Sequence, residues 1–240
     1  MLHKTQGIVL GTTKYSDTYA ITHVFTRDFG RVSYLLPKTR GSRSKIRASL
    51  FFPLSLLNLE VEHMPLRDLQ RLREAERQLP LYELNTNMTK ISLAFFLSEF
   101  LSRVLRESDH NDRIFDYLKN SVETLEAAGK GLANFHLCFM LGLTRYLGIY
   151  PNVSFVGRNS YFDLLNGVFV TELPVHVHYL SRERSRYLAY LHRMNYGNMH
   201  LYRLSRNNRN TIVEYLLDYY RLHICDFPPL KSLDVLRELG

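Results

Sequence analysis

The first eighty or so residues carry apolar positions at a period of two. Gly7-Ile8-Val9-Leu10, Tyr19 to Phe25 and Arg31 to Leu36 are rich in β-branched and aromatic side chains, which suit pleated, half-buried strands. Turn-forming residues separate them, namely Ser16-Asp17-Thr18 and Arg27-Asp28-Phe29-Gly30, so the runs read as hairpins. Gly30 is placed for the positive φ that closes such a turn. A further run, Leu50 to Val61, is broken by Pro53, and another follows from Leu69 to Ala75. Proline cannot donate to a strand ladder, so Pro53 marks an edge or a strand start. Five short strands joined by tight turns suit a small closed barrel or a sandwich.

After Pro80 the period lengthens to that of a helix. Leu93, Leu97, Phe100, Leu101, Val104 and Leu105 share one face, as a helix packed on a core requires. Asn111-Asp112 has helix-start chemistry, and Ile114, Leu118, Val122 and Leu125 follow on one side up to Gly129. Leu132 to Leu147 is apolar nearly all round and predicts a buried central helix. Residues 151–178 are turn-rich, irregular or a short hairpin. Helices resume near 181–194, 208–224 and 231–239. The expected architecture is α+β and multidomain: a five-stranded barrel over 1–80, then a helical domain over 81–240.

The net charge of +8 sharpens this picture because it is clustered. Residues 1–50 carry +7 and residues 181–210 carry +6, the latter as seven arginines against Glu183, while the remaining segments are slightly acidic. Two basic blocks on one chain are the footprint of a polyanion binder. The ten residues from Lys38 to Arg47 hold five cations, Lys38, Arg40, Arg43, Lys45 and Arg47, with Gly41, Ser42 and Ser44 between them. Such a loop can wrap a phosphate backbone. Tyr15, Tyr19, Phe25, Phe29 and Tyr34 interleave the first block, and those that point outward are candidates for stacking on unpaired bases.

Catalytic motifs are lacking. No phosphate-binding glycine loop, Gly-x-Ser-x-Gly elbow or paired-histidine zinc helix occurs in the sequence. His176 and His178 read as a surface strand that bears two imidazoles without a third ligand. Cys138 and Cys225 are too few for a disulfide framework or a four-cysteine zinc site, and read as reduced, buried thiols. No metal and no cofactor are expected. The longest apolar stretch, Leu137 to Leu143, is far short of the ~20 residues of a membrane span.

The run KYSDTYAITHVFTRDFGR (14–31), the basic loop 38–47, FFPLSLLNLEV (51–61) and the ending YYRLHICDFPPLKSLDVLREL (219–239) resemble the bacterial recombination and repair mediator family RecO. The resemblance implies an amino-terminal OB-fold and a non-catalytic, cytoplasmic, nucleoid-associated protein. Such proteins bind single- and double-stranded DNA, anneal complementary strands, hold the acidic tail of single-stranded DNA-binding protein, and act with RecR to load RecA. It places DNA contacts at Lys14, Arg27, Arg31, Lys38, Arg40, Arg43, Lys45 and Arg47. The second basic block adds Arg182, Arg184 and Arg186. A protein-tail pocket is expected either along the tyrosine-interleaved 182–209 stretch or between the helices around 95–145, rimmed by Arg103, Arg106 or Arg145. Many members carry a cysteine-rich zinc module after a Leu-Gly-x-x-Pro stretch. Here Leu147-Gly148-Ile149-Tyr150-Pro151 is present but 152–170 has no cysteine, so 151–178 is expected to be a degenerate form packed by Phe155, Tyr161, Phe162 and Phe169. The alternatives are an RNA-binding OB-fold protein, a helical scaffold whose basic barrel is incidental, and a nuclease with a dispersed site.

Overall fold

The computed structural model describes residues 2–37, 46–106, 109–153 and 160–238. Five strands open the chain: β1 (Leu2–Lys14), β2 (Tyr19–Thr26), β3 (Gly30–Pro37), β4 (Leu56–Glu62) and β5 (Leu69–Arg77). They close into a barrel in the order β1-β2-β3-β5-β4. All neighbours are antiparallel except β3 and β5, which pair in parallel through Ser33↔Leu69 and Leu35↔Arg71. This is the OB-fold barrel the resemblance implied. Alternation sets the register: in β3, Val32, Tyr34 and Leu36 are buried while Arg31, Ser33, Leu35 and Pro37 face outward. A slip of one residue would exchange the two sets. The inward set joins Val9, Val24, Phe51, Leu57, Leu59, Val61 and Leu72 in one core. Gly30 closes the β2–β3 turn with φ +63°, a backbone region costly for other residues.

Helices follow: α1 (Tyr82–Thr86), α2 (Met88–Val104), α3 (Asp112–Ala127) and α4 (Leu132–Tyr146). The Asn87 side chain caps α2 by accepting from the Thr89 and Lys90 amides. Asn111 accepts from the Ile114 amide at 3.1 Å, the helix-start chemistry read from the sequence. Three short strands, β6 (Tyr161–Asp163), β7 (Val168–Val170) and β8 (Tyr179–Leu180), make a small sheet. Then come α5 (Arg182–Arg193), α6 (Arg206–His223) and α7 (Leu233–Arg237).

The chain forms two compact units. One comprises residues 1–127 with 230–236, and the other 128–229 with 237–240. The change from strand to helix falls at Pro80, where the sequence division is drawn, but the first compact unit continues to Ala127 because α2 and α3 pack on the barrel and α1 packs on both. The Ser102 hydroxyl of α2 donates to the Leu10 carbonyl of β1 at 3.0 Å, and Phe25 of β2 stacks on Phe115 of α3 with centroids 6.3 Å apart. The segment 230–236 returns to this unit. There the Glu99 carboxylate of α2 accepts from the Lys231 amide at 3.0 Å, and from the Ser232 amide and hydroxyl at 2.8 and 2.6 Å. Leu230, Leu233 and Leu236 are buried.

The second unit is built on α4, whose residues from Asn134 to Leu141 are buried without interruption, as its all-round apolar sequence requires. The Asn134 amide donates to the Met199 and Tyr202 carbonyls.

Candidate nucleic-acid interface

The outward side chains of β1, β2 and β3 form a continuous face. Register places Thr13, Ile21, Leu35 and Arg71 in one cross-strand row, and His23 beside Ser33 in the next. His23 Nδ1 and Ser33 Oγ are 2.9 Å apart. Burial, aided by the nearby Arg31 charge, lowers the His23 pKa. At the end of the face, Tyr15 and Tyr19 are 64% and 40% exposed. They remain available for stacking, whereas Phe25 and Tyr34 are wholly buried and serve the core. Phe29 is stacked on His63, with centroids 4.0 Å apart.

The cations of the first basic block have different fates. Lys14 is exposed and lies 3.5 Å from Asp17. Arg47 is exposed, while Lys38, Arg40, Arg43 and Lys45 lie outside the described residues. Arg27 is held within the fold: it donates to Asp112 at 3.1 Å and Asp116 at 2.5 Å, with its guanidinium 4.6 Å from the Phe115 ring centre. Burial would lower its pKa, but the two carboxylates outweigh burial and raise it. Arg31 is half-buried and donates to the Arg106 carbonyl at 3.1 Å. Arg71 was missed in the sequence reading, although strand alternation in β5, with Gln70 and Leu72 buried, points it outward.

In the second unit, Ser181 caps α5 by accepting from the Arg184 amide at 3.3 Å. Ser185, Leu188 and Leu191 form the buried face of α5. At 100° per residue the opposite face carries Arg182, Arg186 and Arg193 within a narrow arc, with 54% exposed Tyr190 beside them. Arg182 lies 4.8 Å over the Tyr161 ring. Arg184, also exposed, lies on another side of the helix, 5.9 Å from the Tyr215 ring centre of α6. The spacing of Arg193 from Arg182 and Arg186 was the available signal. Arg209 is buried and donates to the Leu204 carbonyl at 2.7 Å.

Of the tail-pocket residues, Arg103 and Arg106 belong to the first unit and Arg145 to the second. Arg103 is 3.8 Å from Glu99. Arg145 stacks 4.5 Å over the Tyr150 ring and donates to its hydroxyl at 3.0 Å.

Two sequence readings require correction. His176 and His178 do not sit on a strand, because they precede β8 in a bend. His176 Nε2 lies 3.2 Å from the Asp163 carboxylate, which also accepts from the Leu165 and Asn166 amides and so organises the β6–β7 turn. Cys225 is exposed rather than buried, since it follows the end of α6, while Cys138 is buried and desolvation pushes its thiol up to about 12. Among the described residues no group of three or more histidine, cysteine, aspartate or glutamate side chains is arranged to hold a metal, and no helix is long and apolar enough to cross a membrane. Phe162 and Phe169 pack edge to face at 5.0 Å, and Phe155 lies outside the described residues.

The family model described as Recombination protein O N terminal matches residues 1–78, and Recombination protein O C terminal matches residues 85–234. The chain belongs to the RecO family. Among its curated relatives, the DNA repair protein RecO of Phocaeicola vulgatus is 43% identical over 239 residues, covering 100% of this chain and 99% of the relative. That of Azobacteroides pseudotrichonymphae is 41% identical with the same coverage, and that of Bacteroides fragilis 40% over 240 residues, again covering 100% and 99%. The family assignment makes this a DNA repair protein with an OB-fold barrel.

Proposed function

We propose that this chain is a non-catalytic recombination mediator. It binds single- and double-stranded DNA, anneals complementary strands and, with RecR, helps load RecA onto DNA coated by single-stranded DNA-binding protein, whose acidic tail it holds. It works in the cytoplasm, in association with the nucleoid. The observation that carries the DNA-binding reading is the outer β1–β3 face of the barrel, where Tyr15 and Tyr19 are exposed beside Lys14. Aromatic platforms accept bases of any sequence, and adjacent cations accept the backbone. The proposal assigns DNA contacts to Arg47 and Arg71 as well, and to Lys38, Arg40, Arg43 and Lys45, which lie outside the described residues.

The exposed row Arg182, Arg186 and Arg193 supplies a second cationic surface. Its helix carries like charges four residues apart at Arg182 and Arg186, which cost a few tenths of a kcal/mol in helix stability, and Arg182 and Arg186 also lie toward the positive end of the helix dipole. A polyanion on this face offsets both terms. Annealing follows physically: two strands repel through their phosphates, and two cationic surfaces on one protein lower that repulsion while leaving the bases free to pair. The test is annealing of complementary oligonucleotides, bare and coated with single-stranded DNA-binding protein, using the full chain. Acceleration of both is expected. A rate no faster than that of the uncatalysed reaction would overturn the proposal, and matched RNA strands competing as well as DNA would favour an RNA-binding role instead.

A further inference from the structure

Residues 173–178 read Leu-Pro-Val-His-Val-His. Alternation of this kind ordinarily turns the apolar set inward and leaves the polar set to solvent. The structure reverses it. Val175 is completely exposed, and Leu173 and Val177 are 57% and 83% exposed, whereas Pro174 and His176 between them are half-buried. The inversion has a local cause. His176 Nε2 lies 3.2 Å from the buried Asp163 carboxylate, and His176 Nδ1 accepts from the His178 amide at 3.2 Å. The imidazole is thereby drawn inward, and its valine neighbours are turned out.

One exposed valine is ordinary, but three large apolar side chains at alternate positions make a patch, and patches mark interaction surfaces. Beside the strip lies a cavity of about 590 Å³ whose lining includes Phe169, Val170 and Leu173. The same surface thus carries protruding apolar side chains and an apolar hollow. Its two ends also differ in chemistry. Glu172 is exposed at the start of the strip and His178 at its end, and an imidazole hydrogen-bonds a carboxylate whether neutral or protonated. Pro174 lacks an N–H and the chain bends at 175–177, so the strip is not fit to accept a new strand in a regular ladder. Its contacts are those of side chains.

We propose that the 172–178 strip is a homodimerisation surface, on which a second copy of this chain packs its own strip in the antiparallel sense about a two-fold axis at Val175. That arrangement sets Leu173 against Val177 of the second copy and Glu172 against its His178, and does so twice. Each copy's Val177 meets the hollow beside the other's Leu173. The strip is therefore complementary to itself in shape and in charge, which is what an isologous contact requires, and such a contact closes at two copies. The strip is short, so the dimer is weak and reversible. Because α5 begins at Arg182, each dimer brings together two of the exposed arginine rows.

The experiment is sedimentation equilibrium of the full chain over a wide concentration range, without DNA. A reversible dimer with a dissociation constant on the order of tens of micromolar is expected, as for a small interface. Val175→Asp should weaken association at least about tenfold, because two like charges meet at the axis. Its melting temperature should match the wild type, since the side chain it replaces is already in water. Val177→Asp is the second variant should the first not fold. Glu172→His and His178→Glu should each weaken the dimer, and the two together should restore it. With the exposed Cys225 replaced by serine, Val175→Cys should form a disulfide between chains when glutathione disulfide is added. A wild-type chain that stays monomeric at about 1 mM would overturn the proposal. So would a dimer that a folded aspartate variant leaves intact, or a double charge swap no tighter than either single one.

Discussion

Replacing Arg27 by glutamine separates a structural cation from a DNA contact. The residue sits in the basic amino-terminal block, yet it bridges Asp112 at 3.1 Å and Asp116 at 2.5 Å and covers the Phe115 ring at 4.6 Å. Its side chain is 30% exposed, and those of the aspartates are 70% and 54% exposed, so solvent screens both pairs. Each pair is therefore assigned the ~0.2–1 kcal/mol of a surface salt bridge, and the ring contact ~0.5–1 kcal/mol. These share one guanidinium and are not additive, which leaves a loss of about 1–2 kcal/mol. For a protein of this size that lowers the melting temperature by roughly 2–8 °C. The difference should shrink in high salt, because exposed charges are screened within about 10 Å at 0.1 M ionic strength. A double-mutant cycle with Asp116→Asn should return a coupling of about 0.5–1 kcal/mol. DNA affinity and its salt slope should match the wild type. A variant that melts normally but loses about 0.7 units of slope would show that Arg27 leaves the aspartates for a phosphate, and the reasoning would be refuted.

Other expectations follow from other parts of the fold. Changing Arg40, Arg43, Lys45 and Arg47 together to alanine should weaken DNA binding and flatten the salt slope by roughly 2–3 units without lowering the melting temperature. An unchanged slope would move the interface off this segment. Gly7→Ala should destabilise the barrel by about 1–3 kcal/mol, because the added carbon would lie 2.6 Å from Val24 and 2.8 Å from Leu59; a wild-type melt would contradict this. Burial raises the Asp163 pKa, but hydrogen bonds from Asn166 and His176 outweigh it and hold the pKa below its usual 3.8. Its contribution is thus present above pH 3.8 and lost as the pH falls through the lower folded value. Asp163→Asn should flatten the acid limb of the stability profile, and a profile identical to the wild type would exclude this role. Elemental analysis of the purified protein should find zinc far below stoichiometric, and one zinc per chain would contradict the reading of the cysteine-poor segment.

The strands were legible because neighbouring residues alone impose alternation: Val32, Tyr34 and Leu36 go in, and Arg31 and Ser33 go out. The cap at Asn111 and the buried run in α4 were legible for the same local reason. What the sequence concealed depends on contacts between distant residues. Phe25 falls at an outward position of β2 and is buried because Phe115 of α3 covers it. Arg27 looks like any loop arginine until Asp112 and Asp116, more than eighty positions on, come beside it. The bond from Arg31 to the Arg106 carbonyl required knowing that β3 starts beside the end of α2. Charge counting named Arg182, Arg184 and Arg186, and could not show that Arg193 lines up with Arg182 and Arg186 while Arg184 lies near Tyr215, because composition does not distinguish the faces of a helix.

The return of residues 230–236 to the amino-terminal unit has a consequence for biosynthesis. That unit is interrupted by the 102 residues from 128 to 229. At ribosomal rates of 5–20 residues per second, its final segment follows Ala127 by about 5–20 s. During that interval Glu99 has neither the Lys231 amide nor the Ser232 groups to hold, and the apolar seats of Leu230, Leu233 and Leu236 stand open to water. The nascent barrel and its helices thus pass through a stage with an uncovered apolar patch where those three leucines later sit. Ribosome-bound chains halted before residue 230 should expose this patch to trigger-type chaperones or apolar dyes, and chains extended past residue 236 should not.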